Sequence, residues 1–240
     1  MAPVPQRAMA RYLRTLQTHP GPGLPPLPLA ECAGALGLDG LAFLLAPEGR
    51  VPELLQSHGG RTAALEDLQR TQGQGPTPEA AGTHRMVLVP DLAATDAARW
   101  PALSPALAGL GVHAVFAFPL SIGVITLGVL TGHRTTPGPM SAPRLTEALV
   151  LVGTLSSILV DLAARPDDAA VRLLDEPGLH FAEVHQATGM LAAQLGIPPS
   201  QALVRLRAHA FSHDLPLLAT ARAVLSHRLR LATGDDGDRP

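Results

Sequence analysis

Short apolar runs of strand length recur in the first 140 residues, and turn residues separate them. Residues 40–55 carry an apolar run that a turn at 47–49 interrupts, which predicts two strands. Residues 85–91 form one further apolar strand. Residues 111–134 contain the strongest strand pattern, two apolar runs joined near 121–123. The pattern therefore predicts a sheet made of two strand pairs and a single strand.

Helical spacing separates these strands. Residues 29–36 and 61–72 each place apolar positions on one side of a helix, and Gly37 and Gly73 are expected to end them. Residues 141–165 predict a long helix that is apolar nearly all round at its middle. The order is helix, strands, helix, strand, helix, hairpin and long helix, which predicts an α+β fold with an antiparallel sheet flanked by helices.

The two ends of the chain differ from this pattern. Residues 5–18 favour a short helix, and the Pro- and Gly-rich segment 20–28 is typical of a linker. The last quarter has no strand pattern, only helical segments at 177–195, 199–213 and 216–231. The predicted organisation is an N-terminal extension with its linker (1–25), an α+β domain (26–163), a second linker (164–175), a three-helix domain (176–232) and a disordered tail (233–240).

Apolar side chains recur at alternating intervals of three and four residues in the segment 177–195. This is the spacing of the contact positions in a coiled coil, and the long helix before it carries a similar set. The positions of this predicted dimer seam are Phe181, Val184, Thr188, Leu191 and Leu195, with Leu151, Leu155 and Ile158 in the earlier helix. The sequence equally allows each stripe to pack on its own domain.

The other two segments of the three-helix domain also show one apolar side each. The expected core positions are Ala202, Leu203, Leu206, Ala210 and Phe211 in the second segment and Leu218, Ala221, Leu225 and Leu229 in the third. Burying five or six large side chains at roughly 1.5–3 kcal/mol each gives a thin core for an independent domain. We therefore expect a dimeric neighbour to add stability.

Positive charge is concentrated in the same two segments. The whole chain has a formal net charge of −2, and its 18 basic residues are all arginine. Residues 198–231 hold one acidic residue, Asp214, and five arginines. These arginines are Arg205, Arg207, Arg222, Arg228 and Arg230. Such a local excess is typical of a surface that binds phosphates, and arginine also stacks on unpaired bases. A solvated helix face is the alternative.

Few residues carry the chemistry of an enzyme or a metal site. Cys32 is the only cysteine, which excludes a disulfide within the chain and a cysteine cage for a metal, and its apolar helix favours a buried, inert thiol. His209 and His213 are four residues apart but lack a third ligand at a motif spacing. Glu66 and Asp67 point to different faces of their helix. The sequence predicts no catalytic residue, no metal and no cofactor.

No segment predicts secretion or membrane insertion. The N-terminal residues lack the apolar core of a signal peptide. The most apolar run, residues 148–160, is too short to span a bilayer and is followed by Asp161. We therefore expect a soluble, cytoplasmic protein without membrane contact.

Three phrases of the first domain resemble the GAF domains of actinobacterial regulators. They are ALEDLQRTQGQGP at 64–76, VPDLAATDAARWPAL at 89–103 and GVHAVFAFPLSIGVITLGVL at 111–130, and the resemblance extends over residues 26–163. It implies a sensory domain that takes a small-molecule ligand or a partner. Thr77 follows the first phrase, at a position where many of these domains carry a cysteine.

The three-helix domain resembles the ANTAR domain, an RNA-binding module of transcription antitermination regulators. The matching phrases are VHQATGMLAAQLGIPPSQALVRLRAHAF at 184–211 and LLATARAVL at 217–225. The resemblance implies that a dimer binds paired RNA hairpins with short exposed loops and prevents a terminator from forming. Thr188 stands where family members often carry a lysine. The residues assigned to the RNA-binding surface are Gln186, Thr188, Arg205, Arg207, His209 and Arg222.

Resemblance and residue patterns together predict a cytoplasmic GAF–ANTAR regulator that binds RNA and catalyses no reaction. The helix at 141–165 is expected to carry a change in the GAF domain to the geometry of the RNA-binding homodimer. The alternative is a sensor of a small molecule or a protein whose ANTAR-like tail serves only for dimerisation. An enzyme is a third possibility, but it needs a convergent set of polar groups that the sequence does not display.

Overall fold

A computed structural model describes the chain as two compact units, Met1–His180 and Phe181–Pro240. The first unit holds a sheet with helices, and the second holds helices. The described residues are 26–46, 51–96, 98–101, 103–123, 125–163, 182–213 and 215–231, together with residues 7, 10–12, 14 and 15. The predicted linker 164–175 and the predicted disordered tail 233–240 lie outside them.

Five antiparallel strands form the sheet of the first unit, in the spatial order β2-β1-β5-β4-β3. The strands are β1 (Gly40–Leu45), β2 (Glu53–His58), β3 (Val87–Val89), β4 (Ala114–Ile122) and β5 (Ile125–Arg134). The central strand β5 pairs with both β1 and β4. The two predicted strand pairs and the single strand are confirmed, whereas the turn predicted at 47–49 lies outside the described residues.

Helices lie on both faces of this sheet. They are α1 (Leu29–Leu36), α2 (Thr62–Gln72), α3 (Pro76–Thr83), α4 (Leu103–Leu110) and α5 (Ala142–Ala163). Gly37 ends α1 with a φ of 64°, and Gly73 ends α2 with a φ of 65°. Glycine adopts this left-handed conformation without a steric penalty, which is why both predicted helix ends are confirmed.

The helix α3 has no counterpart among the predicted elements. Its sequence, PTPEAAGT, contains two prolines and a glycine and has no apolar stripe. Pro76 occupies the first turn, where its missing N–H leaves no hydrogen bond unmade, so the proline favours the start of the helix. The structure of this segment therefore depends on its packing against β3, β4 and β5 rather than on a periodic pattern.

One face of the sheet carries the main hydrophobic core. Phe43, Phe116 and Phe118 are fully buried there and pack with α1 and α5. Cys32 of α1 lies in the same cluster, which confirms the buried thiol. Tyr12, from the segment predicted as an N-terminal helix, is helical and also buried in this cluster. This face therefore serves stability.

The opposite face of the sheet is covered by α2 and α3, and α4 packs on α2. Successive residues of a strand point to opposite faces. Leu130 of β5 belongs to the main core, so Thr131 and His133 are on the α2–α3 side of the strand. Both polar residues are buried. This face therefore combines buried polar groups with two helices that bring further polar side chains.

Three residues of the predicted dimer seam lie in the core of the first unit. Leu151, Leu155 and Ile158 are at most 3% exposed and pack between α5 and the sheet. The prediction for these side chains is wrong, because the sheet already covers them and leaves no surface for a second chain. By length and composition alone α5 could cross a membrane, but this buried stripe holds it against the sheet.

Three helices form the described part of the second unit: α6 (Ala182–Leu195), α7 (Pro199–Ser212) and α8 (Leu217–Leu225). Each helix packs on the other two. The apolar residues that they bury are Val184, Ala187, Leu191, Ala202, Leu206, Ala210, Leu217, Ala221 and Val224. Alanines supply four of these nine positions, so the helices can approach closely around a small core.

The predicted seam of α6 faces the inside of its own unit. Val184 and Leu191 are fully buried by the packing of α6 against α7 and α8, and Leu195 is half-buried. The prediction that Val184 and Leu191 meet a second chain is therefore wrong, and packing within the domain accounts for their spacing. The contact predicted for Leu195 stays a prediction. Phe181, the first position of the predicted seam, lies outside the described residues.

Two features of the predicted core of α7 and α8 are corrected. Phe211 is exposed rather than buried, because Leu206 and Ala210 already occupy the inward side of α7. The helix α8 ends at Leu225, six residues before the predicted end, where His227 adopts a φ of 55°. On α8 the buried side contains Leu217 and Val224 instead of the predicted Leu218 and Leu225. The prediction was one residue out of register, which corresponds to a rotation of about 100° around the helix axis.

Candidate functional site

A buried hydrogen-bond network joins two helices to the central strand. Glu66 and Gln69 come from α2, Thr77 from the first turn of α3 and Thr131 from β5, and each is at most 2% exposed. The Thr77 hydroxyl lies 3.2 Å from Glu66 Oε1 and 2.8 Å from the Thr131 hydroxyl. Gln69 Nε2 donates to Thr77 Oγ1 at 3.0 Å, and Gln69 Oε1 accepts from the Thr77 backbone N–H at 2.8 Å. Thr77 is the centre of the network.

The direction of these hydrogen bonds depends on the protonation of Glu66. A hydroxyl group donates one hydrogen bond, and Gln69 already donates to Thr77. An ionised Glu66 can only accept, so Thr77 then donates to Glu66 and Thr131 donates to Thr77. A protonated Glu66 can donate to Thr77, which then donates to Thr131. The gain or loss of one proton on Glu66 can therefore reverse the direction of the hydrogen bonds that the Thr77 and Thr131 hydroxyl groups make.

The pKa of Glu66 lies near neutrality. Burial raises it from 4.5 to about 8, because the charged carboxylate loses its hydration, whereas hydrogen bonds from Thr77 and Gln69 oppose the shift. The neighbouring Asp67 is only half-buried, so the prediction that the two carboxyls face different ways is confirmed. A carboxyl group that gains or loses a proton at neutral pH can change the network within the physiological range.

A second buried contact fixes α2 to the edge of the sheet. Arg70 Nη2 and Glu53 Oε1 of β2 are 2.9 Å apart, and their side chains are 2% and 1% exposed. Arg70 Nη1 also donates to the carbonyl oxygen of Pro52 at 2.9 Å. Each charge in such surroundings depends on the other for compensation. The pair thereby holds in place the helix that supplies Glu66 and Gln69.

His133 lies two residues beyond Thr131 on the same face of β5. Burial lowers its pKa, Asp39 acts in the opposite direction, and Arg61 lowers the pKa further. The imidazole is therefore neutral at pH 7. Its Nδ1 atom is buried without a hydrogen-bond partner among the described residues. The α2–α3 side of the sheet thus has a polar nitrogen in addition to the network.

The arginines predicted to contact RNA differ in accessibility. Arg222 is exposed on α8, and its Nε donates to Glu183 Oε2 of α6 at 2.8 Å. Arg205 and Arg207 are half-buried on α7, and the Nε and Nη2 atoms of Arg207 are shielded from solvent. Arg222 is therefore the most exposed of the three side chains.

The other predicted RNA-binding residues also differ in their exposure to solvent. Thr188 is 7% exposed, and its hydroxyl donates to the Val184 carbonyl oxygen at 2.7 Å. The assignment of Thr188 to the RNA-binding surface is wrong, because the buried side chain offers no group to RNA. Gln186 is exposed on α6. The half-buried His209 stacks on His213 with the ring centres 4.0 Å apart, and no third metal ligand joins them in the part of the chain that the structure describes.

The family to which the chain belongs follows from its first unit. The GAF domain family matches residues 29–160, which include all five strands and the helices that carry the buried network. The chain belongs to the GAF domain family. This match ends before the three-helix unit, so it characterises the sheet-containing unit alone.

Comparison with solved structures finds other GAF domains. The GAF domain of a phosphoenolpyruvate-protein phosphotransferase from Acinetobacter is 14% identical, and the match covers 68% of this chain and 98% of that chain with a TM-score of 0.50. The GAF domain of such a phosphotransferase from Coxiella burnetii is 13% identical, with coverages of 66% and 96% and a TM-score of 0.45. No curated protein matches the chain. At 14% identity, the likeness to the Acinetobacter domain shows the fold alone.

GAF domains sense ligands or partners in signalling proteins. In the GAF domain of this chain, the buried polar network and the thiol of Cys32 lie on opposite sides of the sheet. Thr77 is the centre of the buried network. Cys32 is on the opposite side of the sheet, and burial raises its pKa to about 12. The thiol is therefore protonated and inert at neutral pH. Hydrogen bonding and proton binding are the chemistry that this GAF domain offers.

The sequence located the segment that contributes most of the network but not the network itself. Glu66 and Gln69 are three residues apart and so share one face of α2, a signal that was available from the spacing. Thr77 follows directly after the phrase that carries the GAF resemblance. Thr131 is 54 residues further along the chain, and only the packing of α3 on β5 brings it near. No local pattern could reveal that contact.

Proposed function

We propose that this protein is a sensor whose GAF domain controls RNA binding by the three-helix unit, as in GAF–ANTAR transcription antitermination regulators. The sequence resemblance gives the target as paired RNA hairpins with short exposed loops, bound by a homodimer. The function is binding, and no bond is made or broken. It takes place in the cytoplasm, without a resident cofactor and without membrane contact.

The charge of the three-helix unit carries this proposal. Residues 182–231 hold five arginines and two carboxylates, Asp214 and Glu183, and Glu183 pairs with Arg222. The chain as a whole has a net charge of −2, so the positive charge is local. Binding to nucleic acids derives much of its affinity from cationic side chains that replace counterions at phosphates. A small helical unit with this charge distribution therefore suits an RNA backbone.

The buried network supports the sensor half of the proposal. A polar ligand that reaches Thr77 or Glu66 competes with the hydrogen bonds between α2, α3 and β5. Because β5 leads through residues 135–141 into α5, a shift of the network acts on the strand that precedes the last helix of the GAF domain. The ligand class that fits is a small molecule with hydrogen-bonding groups, or a partner that alters the protonation of Glu66.

The RNA-binding proposal predicts a weaker salt dependence of binding in the double variant Arg205→Ala/Arg222→Ala. Each phosphate contact that is removed should lower the slope of log affinity against log salt concentration by about 1, because fewer counterions are released. Gel-shift titrations of the full chain with two-hairpin transcripts, at several salt concentrations, measure the affinity and the slope together.

The variant Arg85→Ala is the matched control for this experiment. Arg85 is exposed in the GAF domain, and its replacement removes the same charge from the other unit. We expect its affinity and salt slope to equal those of the unaltered protein. An unchanged slope in the double variant, or an equal loss in the Arg85 variant, would contradict the assignment of Arg205 and Arg222 as phosphate contacts.

A second variant changes affinity in the opposite direction. Replacing Glu183 with glutamine removes the carboxylate that competes with phosphate for Arg222. Both side chains of this pair are substantially exposed, so the gain should be small, about two- to fivefold in affinity. The same titrations measure it. The triple variant that adds Glu183→Gln to Arg205→Ala/Arg222→Ala should show no gain over the double variant, and a gain there would contradict competition for Arg222.

The second candidate function is a GAF sensor with a tail that only dimerises. The observation that favours it is the composition of α6, which carries no arginine or lysine and holds Thr188 buried where the resemblance implies a lysine. A dimer must then use a surface other than the predicted seam. Light scattering that shows a dimer, together with no gel shift at low salt, would support this function against RNA binding.

A further inference from the structure

An exposed apolar stripe follows one side of α7 and continues beyond it. Val204, Phe211 and Leu215 are 61%, 57% and 44% exposed, and Ala208 between them is also exposed. Val204, Ala208 and Phe211 are four and three residues apart, which places them along one side of the helix, and Leu215 follows just after the helix ends. The inward side of the helix is occupied by Ala202, Leu206 and Ala210. The stripe is therefore the outer face of a helix whose inner face is already packed.

Phe211 gives this stripe its particular chemistry. It is the only phenylalanine, tyrosine or tryptophan among residues 182–231, and more than half of its surface is in contact with solvent. A flat aromatic face is the surface on which proteins stack the unpaired bases of single-stranded RNA. An aliphatic residue at this position would provide apolar area but no ring for stacking.

One arginine is close to Phe211 on the same face of α7. Arg207 is one turn before it, at the spacing that places two side chains on one face. His213, two residues after Phe211, stacks on His209 instead, so its ring is on another side of the helix. Residues 198–231 hold five arginines and one carboxylate, Asp214, which is three residues after Phe211. The aromatic ring therefore lies in a segment with a net positive charge.

The charge around the stripe decides between the two occupants that an apolar helix face could have. A second copy of the chain would bring the same arginines to the contact, and like charges oppose such an interface. An RNA loop brings phosphates to the arginines and unpaired bases to the ring. The charge complementarity on this face therefore favours RNA.

We propose that Phe211 stacks on an unpaired base of a bound RNA loop, while the arginines of the same unit contact the flanking phosphates. This inference rests on the proposed function, because it assigns a base contact within the same RNA-binding unit. Val204 and Leu215 then border the stacked base and exclude water from its edges. The aromatic stack distinguishes a loop from a duplex, because paired bases are not free to leave their own stack.

The test uses the full-length protein and a pool of two-hairpin RNAs with randomised short loops. Bound members are recovered, and one is resynthesised with the fluorescent base 2-aminopurine at each loop purine in turn. Stacking on Phe211 should quench the fluorescence at one position. The variant Phe211→Ala should abolish that quenching and weaken binding by roughly 5- to 150-fold, the range for loss of one stacked base, while the salt slope is unchanged.

Two control variants separate stacking from apolar contact. Phe211→Tyr retains the ring and should retain the quenching, whereas Val204→Ala removes apolar area without a ring and should change affinity less than threefold. Circular dichroism of Phe211→Ala should match that of the unaltered protein, because the side chain is exposed. These controls exclude misfolding as the cause of lost binding.

The outcomes separate this inference from the proposed function. If the unaltered protein selects RNA but Phe211→Ala binds equally well with the same quenching, the stacking role is overturned and RNA binding stands. If no RNA is selected, both fall. If light scattering shows that Phe211→Ala converts a dimer to a monomer while the quenching persists, the stripe belongs to a second copy of the chain and the inference is overturned.

Discussion

Replacing Arg70 with methionine is expected to lower the free energy of unfolding of the GAF domain by about 3–5 kcal/mol. The substitution leaves the carboxylate of Glu53 in surroundings where only 1% of its side chain reaches solvent. It also removes the donor to the Pro52 carbonyl oxygen. Urea unfolding followed by the fluorescence of Trp100, the single tryptophan of the chain, measures the loss.

The same experiment contains its control. Arg11 and Glu31 form an ion pair whose side chains are 58% and 47% exposed, so Arg11→Met should cost less than about 1 kcal/mol. The double variant Arg70→Met/Glu53→Gln should recover much of the loss, because it removes both buried charges. Equal losses for Arg70→Met and Arg11→Met would show that the buried pair contributes no more than a surface pair.

Raising the pH should weaken the GAF domain through Glu66. The pKa of this carboxyl group is about 8 in the folded protein and 4.5 without burial, so between these values the folded state binds the proton more tightly. The free energy of unfolding should then fall as pH rises from 4.5 to 8, by up to about 1.4 kcal/mol per pH unit. Outside this window Glu66 contributes no slope. Urea unfolding at pH 5, 6, 7 and 8 measures the effect.

The variant Glu66→Gln isolates this contribution. Glutamine keeps an oxygen to accept and an amide to donate, as the protonated carboxyl does, but it cannot ionise. We expect the variant to gain stability over the unaltered protein with each step in pH, because the unaltered protein loses what the variant keeps. Parallel pH profiles for the two proteins would show that Glu66 does not titrate in this window.

Local patterns were sufficient for most of the sheet-containing unit. The apolar runs that became β1, β4 and β5 are bounded by turn residues, and Gly37 and Gly73 end helices because no other residue adopts their backbone conformation as readily. The helix α3 escaped prediction because its sequence has no stripe and its contacts to the sheet come from elsewhere in the chain.

The three-helix unit shows the limit of spacing as a signal. Intervals of three and four residues mark a side that packs, but they do not say against what. In α6 that side met α7 and α8, while in α7 a similar spacing at Val204, Ala208 and Phe211 stayed exposed. Which stripe is inside depends on the other helices, because three helices can bury only one side of each.

Some features of the candidate site could be predicted from the sequence, and others could not. Glu66 and Gln69 could be placed on one face of a helix from their spacing, and the arginine excess could be counted along the chain. Two contacts join distant segments, that of Thr77 with Thr131 on β5 and that of Arg222 with Glu183. The burial of Thr188 likewise depends on the packing of whole helices. Such contacts follow from the packing of whole elements, which the sequence does not display residue by residue.

The length of α5 makes it a lever for the network on β5. Its 22 residues give a rod of about 33 Å at 1.5 Å per residue, and it begins soon after β5 ends. A tilt of about 5° at its first turn therefore displaces its last turn by about 3 Å. Helix shifts of about 1–2 Å are enough to switch packed interfaces in other proteins. A small rearrangement among Glu66, Thr77 and Thr131 that tilts α5 therefore produces a larger displacement at the last turn of this helix.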